Sequence, residues 1–104
     1  MATVSFYTND NYGGTQTTIT GTAIATANYS SQPDYDSVQV AASTWVVVWN
    51  EQNFTGDFLL INPSTNLSDL NNVPRTGGGD WKNQITSLQV YASEPSWWSS
   101  GVPQ

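Results

Sequence analysis

Oxygen donors are the side chains of this chain best equipped for chemistry. Eight acids stand against two cations, Arg75 and Lys82, for a net charge of −6. Asp10, Asp34, Asp36, Glu51, Asp57, Asp69 and Asp80 fall mostly in stretches rich in Asn, Gly, Ser and Pro, which is turn composition. Carboxylates in turns can cap backbone groups, act as a catalytic pair, or ligate a hard cation. A glycosidase pair needs two acids at a defined separation in a cleft, which acids dispersed over many turns do not supply. Acidic character suits a divalent cation, although a charge of −6 more often means only solubility.

Other chemistries are excluded by what is missing. Without cysteine there is no disulfide, zinc–thiolate site or thiol nucleophile. Without histidine the commonest general base and transition-metal ligand are gone. No serine lies in a nucleophile-elbow pattern, and Gly77-Gly78-Gly79 lacks the lysine and helix of a phosphate-binding loop. Nucleic acid and anionic membrane surfaces both need a basic footprint that this chain lacks. No apolar run reaches the roughly 18 residues of a membrane span. MATVSF has no signal-peptide character, so secretion would require a signal already removed. The low charge and high Ser/Thr/Asn content lean towards an extracellular protein, with a cytoplasmic one as the alternative.

These donors sit between short strands. Charged residues make up 10 % of the chain, against roughly a quarter in an ordinary domain, and good helix formers are scarce, so the composition is all-β. Residues 4–8 and 15–20 flank the turn NDNYGG as one hairpin, and Trp45–Asn50 and Asp57–Ile61 form a second. Residues 21–32 read as a loop with an edge strand near Ala25–Tyr29. Ser37–Val40 and Ile85–Tyr91 alternate as half-buried strands. One helical turn is expected over Asn66–Leu70, capped by Asn66 or Ser68, and a mobile loop over Pro74–Asp80. Of Trp45 and Trp49 one belongs in the core, and Trp81 should cover the open end of the second sheet. Trp97 and Trp98, in a polar tail, either fold back or stack on a sugar or partner surface.

The two hairpins are copies. Tyr7, Tyr12 and Gly14 recur 42 positions later as Trp49, Phe54 and Gly56. The closing strands repeat too: residues 37–43 and 87–93 are identical at five of seven positions. Two units, about 3–43 and 45–93, therefore form one domain over 1–94, with a Trp-containing tail over 95–104. Such a repeat predicts a β-sandwich with internal pseudo-twofold symmetry.

An aromatic-x4-aromatic-x-Gly hairpin, followed by an Asp/Asn-rich turn and a serine opening the last strand, resembles the βγ-crystallin Greek-key motif. The resemblance covers about residues 3–93. It implies that Tyr7 and Tyr12, and Trp49 and Phe54, pack as pairs, that Gly14 and Gly56 take backbone conformations closed to other residues, and that Ser37 and Ser87 tie each hairpin to its sheet. In microbial members a calcium signature, N/D-N/D-x-x-S/T-S, opens the last strand. Residues 82–87, KNQITS, match it except at Lys82; residues 32–37, QPDYDS, depart at the first, second and fifth positions. By resemblance, the ligands are the side chain of Thr86 or Asp36, the carbonyl of Gln84 or Asp34, the carbonyl of Asn50 or Thr8, and a first-position side chain from the partner motif. That last group is Lys82 for the Asp36 site and Gln32 for the Thr86 site. Affinity of about 10⁻⁴–10⁻³ M, the range of extracellular modules, is expected at one or two sites. The implied protein is a monomeric, non-enzymatic, calcium-stabilised domain with a structural or stress-protective role. The alternative is a secreted antimicrobial, killer-toxin-like, carbohydrate- or protein-binding module, protease inhibitors included, without a functional metal.

Overall fold

The computed structural model describes residues 2–21, 25–28, 35–51 and 53–103. Its strands are β1 (Ala2–Tyr7), β2 (Gln16–Gly21), β3 (Ala25–Asn28), β4 (Ser37–Val40), β5 (Trp45–Trp49), β6 (Phe58–Ile61), β7 (Thr65–Leu67) and β8 (Ser87–Tyr91). They make two antiparallel sheets, ordered β2-β1-β4-β7 and β3-β8-β5-β6. Each sheet thus takes three strands from one half of the chain and its last from the other half. β3 leaves its own half to pair with β8, and β7 leaves the second half to pair with β4. This is the Greek-key sandwich that the repeat predicted.

Period-two patterning builds the core. Ala2, Val4 and Phe6 of β1 are fully buried, while Thr3 and Ser5 between them are half-exposed. Val38 and Val40 from β4 meet Val46 and Val48 from β5 and Leu88 and Val90 from β8 in one cluster. Strand β5 is apolar on both faces: Val47, Trp49 and Tyr91, with Trp45, Phe54, Phe58, Leu60 and Trp97 around them, form a second cluster on the outer side of its sheet. The tail therefore folds back, with Trp97 edge-on to Tyr91 at 5.8 Å and Trp98 Nε1 donating to Asn62 Oδ1 at 3.0 Å.

Three expectations need correction. The helical turn lies at Leu70–Asn72 and its cap is Asp69, which accepts from the Asn71 amide at 3.0 Å; Leu67 is in β7 instead. Thr65-Asn66-Leu67 is too short and polar to announce itself, and the partner that makes it a strand, β4, lies in the other half of the chain. Trp81 is 1 % exposed and sits inside the main cluster rather than over an open end, its amide held by the carbonyls of Leu70 and Val73. Loop 74–80, expected to be mobile and without regular structure, closes with a bridge between Pro74 and Asp80. Asp57 pins it by accepting from Arg75 Nη1 at 2.8 Å and the Gly77 amide at 3.0 Å. The edge strand read near Ala25–Tyr29 is β3 over its described part, and Tyr29 lies outside the described residues.

Candidate functional site

Each hairpin folds over its sheet by the same device. Its tip holds two successive residues at positive φ, Asn11 and Tyr12 (52° and 62°) in one, Asn53 and Phe54 (both 59°) in the other. An aromatic residue adopts this region only where its surroundings over-determine it. Here the Tyr12 amide donates to Ser37 Oγ at 3.0 Å, and that hydroxyl donates to the Asn9 carbonyl at 2.7 Å. In the second hairpin the Phe54 amide donates to Ser87 Oγ at 3.0 Å, and Ser87 donates to the Glu51 carbonyl at 2.7 Å. Both serines are fully buried. The aromatic pairs meet edge to face, Tyr7 with Tyr12 at 5.7 Å and Trp49 with Phe54 at 5.2 Å, the arrangement favoured by ring quadrupoles.

Two residues past each ring, Gly14 and Gly56 have φ of 76° and 86°. A Cβ at either would also strike a side chain doing structural work: Thr8 Oγ1, which accepts from the Thr15 amide, or Asn50 Oδ1, which accepts from the Asp57 amide. Sterics and φ together require glycine there.

The oxygen-rich turns lie where these hairpins meet β4 and β8. In the second half the Thr86 amide donates to the Trp49 carbonyl at 2.9 Å. This brings Thr86 Oγ1 to 3.0 Å from the Asn50 carbonyl oxygen, to which it donates, and to 3.3 Å from that of Gln84. Three predicted oxygens, from one side chain and two carbonyls, thus converge. Oxygens bound to a calcium ion at 2.3–2.6 Å sit about 3 Å from their neighbours around it, so this spacing fits that cation. All three residues are only partly buried, leaving solvent access. Gln32, the partner-motif donor, lies outside the described residues.

The first half keeps the backbone and changes the chemistry. The Asp36 amide donates to the Tyr7 carbonyl at 2.8 Å, matching Thr86, and so places Asp36 beside Thr8. Asp36 is 6 % exposed, and its Oδ1 has no hydrogen-bond partner. Its Oδ2 lies 3.7 Å from Lys82 Nζ, which reaches across from the other half. Burial pushes the Asp36 carboxyl above its ordinary pKa; Lys82 pulls it down, while Asp69 pushes it up again, by its charge and by a hydrogen bond that forms only when one of the two carboxyls holds a proton, and Asp10 adds to this. Asp69 and Asp10 were not singled out from the sequence as neighbours of Asp36. Asp69 follows β7, and only the exchange of that strand brings it there, with the Leu70 amide donating to the Asp36 carbonyl at 2.7 Å. The Asp34 carbonyl lies outside the described residues. Among the described residues no group of three His, Cys, Asp or Glu side chains is arranged to hold a metal, so any ion at either turn would rest on carbonyl and hydroxyl oxygens as much as on acids. No helix among the described residues is long and apolar enough to cross a membrane.

Comparison with known proteins places this geometry. No curated protein matches the chain. Among solved structures, a domain from work on the evolution of the eye-lens βγ-crystallin fold superposes with a TM-score of 0.72 at 22 % identity, over 88 % of this chain and 87 % of the other. A point mutant of a βγ-crystallin domain from Clostridium beijerinckii gives 0.63 at 26 % identity, covering 86 % and 98 %. Spherulin 3a from Physarum polycephalum gives 0.64 at 21 % identity, covering 90 % and 86 %. The family model for beta/gamma crystallin matches residues 1–78. With that match, two exchanged Greek keys and twin serine-tied hairpins, the chain belongs to the beta/gamma-crystallin family.

Proposed function

We propose that this domain binds calcium weakly through the turn built on Thr86 and is stabilised by it, with a structural or protective and non-enzymatic role. The observation that carries the reading is the convergence of Thr86 Oγ1 with the carbonyl oxygens of Asn50 and Gln84. In the free protein the Thr86 proton serves both carbonyls; with an ion bound, the hydroxyl oxygen and the two carbonyls would turn their lone pairs to it, and calcium would supply charge and cross-linking rather than catalysis. The Asp36 turn is the weaker of the two for calcium. Lys82 already places a positive charge beside its carboxylate, so a divalent ion must displace or tolerate that ammonium. The family is generally non-enzymatic, which agrees with a stabilising role, and an extracellular setting would supply calcium in the range such a site needs.

For a site with Kd near 1 mM, 10 mM calcium stabilises the fold by about 1.4 kcal/mol, a rise in Tm of roughly 6–10 °C for a domain this size. Calorimetric titration and thermal melts with calcium or chelator test this. Thr86→Val should abolish most of the calcium-dependent rise, whereas Asp36→Asn should leave it in place. A wild-type protein showing neither heat nor a Tm change with calcium would sink the reading.

A further inference from the structure

The outer face of the sheet containing β5 carries a groove of about 340 Å³, lined by Trp49, Phe54, Phe58, Gln89, Val102 and Pro103. Its walls come from β5, β6 and β8, the hairpin tip, and the tail. Trp49 and Phe54 stand at 64° with centroids 5.2 Å apart, so two rings form a corner, and Phe58, paired with Trp49 across the strands, extends it. Val102, also in the lining, is the exposed large apolar residue among those described, at 53 %.

The lining restricts the occupant. A sugar brings many hydroxyls that need partners, yet the groove offers one side-chain amide, Gln89, whose oxygen already accepts from the Tyr91 hydroxyl. An anion meets a chain of net charge −6 and no cation in the lining. Both cationic side chains are engaged elsewhere, Arg75 with Asp57 and Lys82 with Asp36. The ligand that suits aromatic walls, needs no hydrogen bonds and is favoured by a negative field is an alkylated ammonium group. We propose that this groove is a binding site for a quaternary or methylated ammonium group, held by cation–π attraction to the half-buried rings of Phe54 and Phe58, with the largely buried Trp49 behind them. The site is separate from the Thr86 turn and does not depend on calcium.

The probe is choline chloride, titrated against protein at constant ionic strength with sodium chloride as the balance, and followed by amide and indole NMR shifts. Expected are saturable shifts confined to the groove residues and binding about tenfold tighter than that of the neutral isostere 3,3-dimethyl-1-butanol. Val102→Lys should weaken choline binding about threefold and Val102→Glu strengthen it about threefold, through charge alone at an exposed position. Phe58→Leu, which keeps apolar bulk but removes a ring, should weaken choline and spare the isostere. Equal binding of choline and its isostere overturns the proposal, because an apolar groove alone would do that. So does saturable binding of methyl glucoside where choline gives none, or no shift with choline at roughly 50 mM, where a millimolar site would be filled.

Discussion

The two turns that open β4 and β8 share a backbone and differ in what they leave unsatisfied. At Thr86 a neutral hydroxyl lies between two carbonyls it can serve. At Asp36 a buried carboxylate has one oxygen unpartnered, two acids nearby and a lysine at 3.7 Å. The first arrangement is self-consistent without a metal and can open to one. The second is frustrated, and the chain relieves it with its own cation. The two copies of the fold unit thus share backbone hydrogen bonds while the side chains inside them carry different chemistry.

The likeness of the two halves is tested most forcefully at the glycines. Gly14→Val and Gly56→Val should each destabilise by about 3 kcal/mol or more, from a β-branched residue at positive φ plus a clash; urea denaturation showing one tolerated would end the claim that the hairpins are equivalent. Next come the serines. Ser37→Ala and Ser87→Ala each orphan a partly buried amide and a carbonyl, so about 1–2 kcal/mol is expected from either, within about 1 kcal/mol of each other.

Asp36→Asn probes the difference rather than the likeness. A carboxyl whose folded pKa is raised is bound more tightly to its proton in the native state, so its contribution to stability improves as pH falls through the folded value and is complete below the ordinary 3.8. Replacing it by Asn should therefore raise stability by on the order of 1 kcal/mol at pH 7 in chelator. That gain should vanish near pH 3, where the wild-type carboxyl is protonated in both states; paired urea curves at the two pH values check it. The smallest effect belongs to Lys82→Gln. Because Lys82 is half-exposed, its loss should cost under about 1 kcal/mol in chelator, while the calcium-dependent rise in Tm should grow as the competing ammonium is removed.

What could be read from the sequence was local in the chain. Tyr7, Tyr12, Gly14 and Ser37, with their copies, betray themselves because hairpin tips recur with fixed spacing and Gly has no substitute where positive φ and a side-chain clash coincide. The Thr86, Asn50 and Gln84 oxygens were nameable only through the resemblance of residues 82–87 to the family's calcium signature. What stayed hidden depends on contacts made across the chain. Strand β7 is three unremarkable residues until β4 pairs with it, and Asp69 reaches Asp36 only through that pairing. Trp81 follows a glycine-rich loop and reads as a lid, yet the loop is pinned by Asp57 and delivers the indole into the core. The aromatic groove was equally invisible, since its walls are drawn from residues 49 to 103.

The exchange of β3 and β7 between the sheets governs how the molecule comes apart. Residue 28 pairs with residue 87, and residue 38 with residue 67, so neither half of the chain contains all the strands of either sheet. A chain severed at Ala41–Thr44 would yield two pieces that regain structure only by finding each other. In the intact protein, the same interlock forbids a half-melted state: amide exchange in both sheets should converge on one opening free energy, and folding must wait for closures spanning more than half the chain. The duplication supplied two copies of a motif, but they persist only as a single cooperative unit.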